Sequence, residues 1–497
     1  MEPLALRKYF APIPDADWER LMPDSLEWQP LEGFTLQPYY RRADRSYRRA
    51  FKRAGWHLRL NGRATQIEEL LARGATAIGI EKAAELDVAQ LSALLRRLRY
   101  ARIPACFECG GKAQEVMKRI HSAALVAGIP PSELRGAAAL EATESPEHQA
   151  ALLQAAGTTQ YRTIRVDLMP WHQAGATCVQ ELAVALSLLV RCLRMSDTDA
   201  VARRLYFSVP VGTRYLMHIA RLRAMRHLTA QVYEAFGLPE MSVCVEGVPS
   251  PRHKTACDLD THLVRITLQC VAAAVGGCDI ITPEGLVAGK IPLILQHEAR
   301  LARTADPAAG AWYIEALSAK LARSAWALFQ QMEAMGGYDQ AEAWLRQKVA
   351  RSAQQRTDQV HTGQQPFIGV NCYPDLSRTI PAQTKHDGQL AEPFENLRRR
   401  VQQQKRTIQA RLLDGPPHAH AWMKRVLKCA GIIPHEHARD GCDLWVAFSE
   451  EQAADVIAPV VLVLEAPPEV FLNWPVLMVG GDMVAAAERI LDLINCQ

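Results

Sequence analysis

The sequence has no apolar run approaching the roughly 18–20 residues that a helix needs to cross a bilayer. It has little excess of either charge. The 57 basic and 53 acidic residues leave a net charge of +4, and the basic residues are scattered, which is too weak a field to attract nucleic acid. The densest basic run, Arg398-Arg399-Arg400, falls in a strongly polar helical pattern and reads as a solvated face. The N-terminal residues Met1 to Phe10 lack the basic-then-apolar order of a secretory signal. A second CxxC is also missing: Cys106-Phe-Glu-Cys109 stands alone, whereas a zinc ribbon needs two such pairs. These absences predict a cytoplasmic protein that engages neither membrane nor nucleic acid. Its twelve cysteines are expected to be buried thiols rather than a disulfide framework.

The remaining composition is that of a globular chain, with 49% apolar and 22% charged residues. A length of 497 residues allows two to four domains, or one large barrel with a smaller unit, and a core that needs no staple. Residues 1–33, rich in Pro and Trp, read as an irregular arm with a short helix near Asp17–Leu21. From about residue 56 short alternating apolar runs alternate with helical ones. The strand candidates are His57–Leu60, Thr76–Glu81, Ile103–Cys109, Gly136–Leu140, Thr163–Leu168, Leu205–Val209, Ser242–Glu246 and Cys278–Thr282. Gln114–Val126, Thr177–Leu193, Thr213–Phe236 and Thr261–Val275 are among the helical stretches between them. Eight strands alternating with helices predict a (β/α)8 TIM barrel.

Helical patterns continue over Ile291–Arg303, Tyr313–Met335 and Asp339–Ser352. Residues 361–388 suit an extended linker, and Pro393–Leu413 reads as one polar helix. A second α/β unit follows, with helices His420–Cys429 and Met483–Ile494 and strands Asp443–Phe448, Val460–Leu464 and Val476–Val479. It reads as a truncated flavodoxin-like domain, too short for five strands and lacking its first. The expected divisions are an N-terminal arm (1–55), a barrel with post-barrel helices (56–360), a linker with its polar helix (361–417) and the α/β unit (418–497).

Strands of a parallel barrel are usually apolar on both faces. Here they alternate. In Thr163-Ile-Arg-Val-Asp-Leu168 the apolar set is Ile164, Val166 and Leu168, and the other set holds Arg165 and Asp167. Leu58 and Leu60 oppose Arg59, and Val243 and Val245 oppose Glu246. Since helices must cover the apolar side, the lumen receives Arg59, Arg165, Asp167 and Glu246, with Glu81 and Glu108 as further candidates. Charges taken out of water are tolerated only when paired. Cross-pairing inside the barrel is therefore one expectation; the other is that these residues sit at strand ends in solvent.

Several segments resemble methylmalonyl-CoA mutase. They are Leu26 to Tyr40, Ala174-Gly-Ala176 with Gln180-Glu-Leu-Ala183, Val211-Gly-Thr-Arg-Tyr215 running to Gly237, and Asp260 to Gly277. Asp306-Pro-Ala-Ala-Gly310, Glu333 to Gly337, Gly369-Val-Asn371 and Phe394-Glu-Asn-Leu-Arg398 follow in the family's order. The resemblance implies that the second unit is of the cobalamin-binding type. The departures point to the family's small subunit, which is non-catalytic. Trp171-His172-Gln173-Ala174-Gly175 sets the histidine two residues closer to Ala-Gly than in catalytic chains, so Trp171 and His172 read as a vestigial barrel mouth. His57-Leu-Arg-Leu-Asn-Gly62 replaces the Arg-Gln-Tyr-Ala-Gly substrate loop, and a Gln-Asn-Asp segment is missing. A cobalt-binding Asp-x-His-x-x-Gly is also lacking. The nearest stretch, His435-Glu-His437-Ala-Arg-Asp440-Gly441, has His in place of Asp and its glycine one position late, and His418 and His420 read as surface residues.

The resemblance thus implies an isolated chain that is inactive and binds no cofactor or metal. Its partner in a heterodimer would be the large catalytic subunit, which carries adenosylcobalamin and interconverts methylmalonyl-CoA and succinyl-CoA. The alternatives are a stand-alone scaffold or binding paralogue, and an acyl-CoA mutase barrel with an altered site.

Overall fold

The computed structural model describes residues 27–40, 55–195, 197–285, 287–381, 389–404, 408–435, 442–449, 452–453, 460–464 and 476–495. The short helix expected near Asp17–Leu21 lies outside them.

Eight parallel strands close into a barrel in chain order. The chain runs β1 (His57–Gly62), α1 (Ile67–Ala72), β2 (Ala77–Ile80), α2 (Val88–Ala101), β3 (Ala105–Phe107), α3 (Ala113–Ala127), β4 (Arg135–Glu141) and α4 (Pro146–Ala156). It continues through β5 (Gln160–Asp167), α5 (Met169–Gln173), α6 (Cys178–Met195), α7 (Thr198–Arg204), β6 (Leu205–Val211) and α8 (Tyr215–Ala235). The barrel ends with β7 (Cys244–Pro249), α9 (Leu259–Gly276) and β8 (Ile280–Ile281), and β8 pairs back onto β1. All eight strands expected from the alternation are present. The helix-facing residues Leu58, Ile164, Val166, Phe207 and Val245 are all buried, as that alternation requires.

The helix ends follow local chemistry. Asp87 caps α2 by accepting from the Gln90 N–H at 2.8 Å, and Asp258 caps α9 by accepting from the Thr261 N–H at 3.0 Å. Gly128 ends α3 and Gly277 ends α9, both in the left-handed conformation that an L side chain resists. Gly136, near the start of β4, has φ +134° and lies in register with Ala105. A Cβ there would sit 1.8 Å from the Ala105 carbonyl oxygen. Glycine is what lets β3 and β4 approach.

Three helical expectations need correction. Ile291–Arg303 is not one helix: α10 spans Lys290–His297, Arg300 turns left-handed at φ +54°, and a single tight turn follows at Leu301–Arg303. After α11 (Trp312–Ala334), α12 runs over Tyr338–His361, nine residues past the expected Ser352. Its polar last turns hold together through contacts such as Gln354 to Asp358 at 2.8 Å. Pro393–Leu413 divides into α13 (Glu392–Gln403) and a strand, β9 (Gln409–Leu412). That strand is the one the second unit was expected to lack. Ile408, Ala410 and Leu412 bury alternate positions, a period of two over too few residues to stand out beside the long polar helix.

The second unit continues with α14 (Pro417–Ala430), β10 (Ile433–His435), β11 (Leu444–Ala447), β12 (Val460–Leu464), β13 (Val476–Met478) and α15 (Met483–Asn495). Its sheet has five parallel strands in the order β10-β9-β11-β12-β13, the doubly wound flavodoxin-like order. The stretch read as a linker helps to build its core: Phe367, Val370 and Phe394 pack with Met423 and Leu427.

Gly136→Ala is expected to cost more than about 3 kcal/mol, because two strand backbones must separate. Gly128→Ala, with φ +66° but open space around it, should cost about 1–2 kcal/mol. Urea unfolding of the two variants measures the difference, and equal losses would contradict the close-approach argument.

Candidate functional site

The inward set of the strands places Arg59 on β1 and Glu246 on β7. The Arg59 Nη2 lies 2.5 Å from Glu246 Oε1, with 9% and 0% of the two residues exposed. The Thr282 hydroxyl, just after β8, donates to the same oxygen at 2.5 Å. On the other side Arg59 is hydrogen-bonded to the Cys106 thiol of β3. Contacts from β1 to β3 and to β7 make this side chain a bar across the lumen. Burial is the largest influence and works against its charge, but the Glu246 carboxylate together with Cys106 and Tyr206 outweighs it and raises the guanidinium pKa. Cys106, Ala137, Tyr206 and Cys244 pack around the bar as a small internal cluster.

Arg165 and Asp167 lie higher, at the carboxyl end of β5. The Arg165 Nε donates to Glu141 Oε1 of β4 at 2.8 Å, and Asp167 stands 4.0 Å away. About a third of the Arg165 and Glu141 side chains faces solvent. Burial raises the pKa of Glu141, and Arg165 opposes it. Glu108 and Glu81 are both exposed. The two expectations therefore each describe part of the barrel: a sealed ion pair at its middle and a wetter one at its rim. Glu141 was missed because the strand was read one residue short; it continues the inward phase of Ala137 and Ala139.

Trp171 and His172 belong to α5, directly after β5, yet neither ring opens into the lumen. The His172 Nδ1 lies 2.7 Å from Glu181 Oε1 on α6, and its Nε2 lies 2.6 Å from the Ser250 hydroxyl after β7. The other Glu181 oxygen accepts from Arg221 of α8, which also donates to the Pro210 carbonyl. Arg252 donates to the His172 carbonyl, and Arg356 of α12 to that of Gly175 at 2.7 Å. Burial, reinforced by Arg252 and Arg221, holds the His172 imidazole well below the usual histidine range, so it is neutral. Burial raises Glu181, and Arg221 opposes it. Trp171 is sandwiched instead by α12: Arg346 lies 4.7 Å over its ring and Tyr338 meets it edge-on at 6.3 Å. With both ring nitrogens engaged, His172 positions loops rather than facing the barrel axis. Arg221, Ser250 and Arg252 escaped the sequence reading because they reach Glu181 and His172 only across separations of 40 to 80 residues, and Glu181, nine residues from His172, was read only as part of a helix segment.

In the second unit, ligands of doubly wound sheets bind where the strand order reverses, here between β9 and β11. Among the described residues, Phe448 packs over Gly415 at that crevice. The Phe448 ring lies 2.3 Å from where a Cβ on Gly415 would stand, and it packs 5.4 Å from the His420 ring. Gln452 locks the loop, accepting from the Phe448 N–H at 2.9 Å and donating to the Asp414 carbonyl at 2.7 Å. His435 ends β10, and the rest of the loop with cobalt-motif likeness, His437, Asp440 and Gly441 included, lies outside the described residues. Among the described residues no three His, Cys, Asp or Glu side chains converge as metal ligands, and no helix is long and apolar enough to cross a membrane.

Glu246→Gln leaves Arg59 buried without a counter-charge and is expected to destabilise the chain by about 3–5 kcal/mol. The double variant Arg59→Met, Glu246→Leu should recover most of that loss, and chemical denaturation of a double-mutant cycle reads it. Failure of the double variant to recover would show that the two charges do not act as a pair.

His172 and His218 are both buried and neutral, the latter accepting from the Gly212 N–H at 3.1 Å. Their folded pKa values lie below the unfolded value near 6.5, so their contribution is complete above that pH and lost as pH falls below it. The slope is up to about 1.4 kcal/mol per pH unit for each. His218→Gln keeps an acceptor for Gly212 but cannot titrate. Its unfolding midpoint should therefore fall less than the parent's between pH 7 and pH 5.5. Identical pH profiles would contradict the assignment.

The profile of the methylmalonyl-CoA mutase family matches residues 148–431, more than half of the chain. The probable methylmalonyl-CoA mutase small subunit of Mycobacterium bovis is 32% identical over 247 residues, which cover 45% of this chain and 40% of that one. The small subunit of Porphyromonas gingivalis is 25% identical over 437 residues, covering 75% and 71%. The large subunit of Streptomyces virginiae is 32% identical over 237 residues, covering 43% and 32%. The chain thus spans less than half the length of the mycobacterial relative it matches, but well over two thirds of the Porphyromonas one. On this likeness, and on a closed eight-stranded barrel followed by a doubly wound sheet, the chain belongs to the methylmalonyl-CoA mutase family and carries the character of its small subunits.

Proposed function

We propose that this chain is the non-catalytic subunit of an adenosylcobalamin-dependent methylmalonyl-CoA mutase, and that it pairs with a large subunit that performs the isomerisation. The observation that carries the reading is the Arg59–Glu246 bar. A substrate held along the barrel axis would have to break a buried ion pair bound on both sides by Thr282 and Cys106. Leaving either charge unpaired in the interior is unfavourable by several kcal/mol.

Two further features support it. His172 spends both ring nitrogens on Glu181 and Ser250, so it has none to offer a substrate carbonyl or a radical intermediate. This weighs against an active mutase with an altered site. The residues present do not fit a cobalamin either: the sequence lacks the cobalt-binding Asp-x-His-x-x-Gly, and Phe448 packs over Gly415 at the strand reversal of the second unit. No step of the reaction is therefore assigned to this chain. Its contribution is a rigid surface: the charged network around His172 ties α5, α6, α8 and α12 together and fixes the carboxyl face of the barrel.

The purified chain should neither convert methylmalonyl-CoA nor alter the absorbance spectrum of added adenosylcobalamin. Mixed with the large chain from the same genome, it should raise the yield of active, stable enzyme. Turnover or a cobalamin spectral change with this chain alone would overturn the reading.

A further inference from the structure

The outward faces of the barrel helices differ in one respect. On α2 and α3 the solvent side carries Arg96, Arg99, Glu115 and Lys118 interspersed with the exposed apolar residues Tyr100, Leu125 and Val126. On α9 no charged residue occurs between Asp260 and Asp279 except Arg265, and Arg265 is turned inward, donating to the Ile368 carbonyl and lying 4.6 Å over the Phe367 ring. The outer stripe of α9 instead reads Val264, Leu268, Val271, Val275, a 4-3-4 spacing on one side of the helix, with Val264 and Leu268 exposed and Val271 and Val275 partly buried against the barrel core. Val264 is 61% exposed and Leu268 42%.

The patch extends to both sides. Leu259 is exposed at the start of the helix, Ile294 on the adjoining α10, and Ile368 on the segment that Arg265 holds against α9. At about 100 Å² for each such side chain, the exposed apolar area is roughly 500 Å², near the upper end for a monomer's largest patch. A standard interface buries about 800 Å² per partner, an apolar centre with a polar rim. The patch supplies a centre of that size, and Asp260, Arg378 and Lys290 border it.

The geometry points to this face, the outer stripe of α9 with Ile294 and Ile368, as the surface on which the large mutase subunit docks. The inference rests on the two-chain reading above. A large subunit is the occupant because relatives named small and large subunit both match this chain. A partner of the same fold can present its own α9 counterpart across a pseudo-twofold axis, so that one apolar stripe meets another.

The test uses the full chain co-expressed with the large chain from the same genome, with complex formation read by light scattering after gel filtration. Val264→Glu with Leu268→Glu should weaken the complex by at least roughly tenfold. Ser122→Glu with Leu125→Glu, two exposed positions on α3, should leave it intact. Hydrogen exchange on the unsubstituted proteins supplies a readout that does not depend on a variant folding: residues 259–276 should exchange more slowly in the complex. A complex unaffected by the α9 variant, or unchanged exchange across α9, overturns the docking face while the pairing stands. No complex between the unsubstituted chains removes the pairing and the docking face together. Self-association of this chain alone, abolished by the α9 variant, would assign the face to a second copy and overturn the proposal.

Discussion

Closing eight parallel strands into a barrel sends every second side chain into a lumen just wide enough for side chains. That constraint governs this protein because its inward set includes charged residues. An isolated ion in that space would be unfavourable by several kcal/mol, so Arg59 can be inside only with Glu246 opposite it. Once the two meet at 2.5 Å with Thr282 and Cys106 on either side, the axis is closed. The pair spans the middle of the lumen, and below it the inward residues Cys106, Ala137, Tyr206 and Cys244 line a cavity at the amino end of the barrel.

The same logic operates at the carboxyl face, where barrel enzymes place their chemistry. The residues there are charged and titratable, as an active site's would be, but each is consumed by another residue of the chain. Glu181 is shared between His172 and Arg221, and Arg252 and Arg356 cap loop carbonyls. Such a network fixes loop geometry. The second unit repeats the pattern with an aromatic ring, Phe448 over Gly415, in place of charges.

The outward faces of α2 and α3 keep charges along their length, whereas α9 carries none outward beyond Asp260 in its first turn. The contrast between a neutral outer stripe on α9 and charged ones on α2 and α3 arises within one structural layer, so burial in the fold does not account for it.

The alternation of strands and helices determined the barrel, because a period of two against a period of 3.6 is written locally. The inward phase of Arg59, Arg165, Asp167 and Glu246 followed from the same alternation. What the sequence could not state is which charges meet. Arg59 and Glu246 are 187 positions apart and adjoin only because β8 closes onto β1, and Arg165 chose Glu141, one position beyond the strand as read. His172 sat in a recognisable motif, but its burial depends on Ser250 and Glu181 arriving from other elements. Strand β9 was hidden for a related reason: four residues carry too little periodicity to be seen, and only pairing with β10 and β11 makes them a strand. Local period and phase belong to the sequence, whereas long-range pairing, which decides whether the lumen is open or sealed, belongs to the tertiary structure.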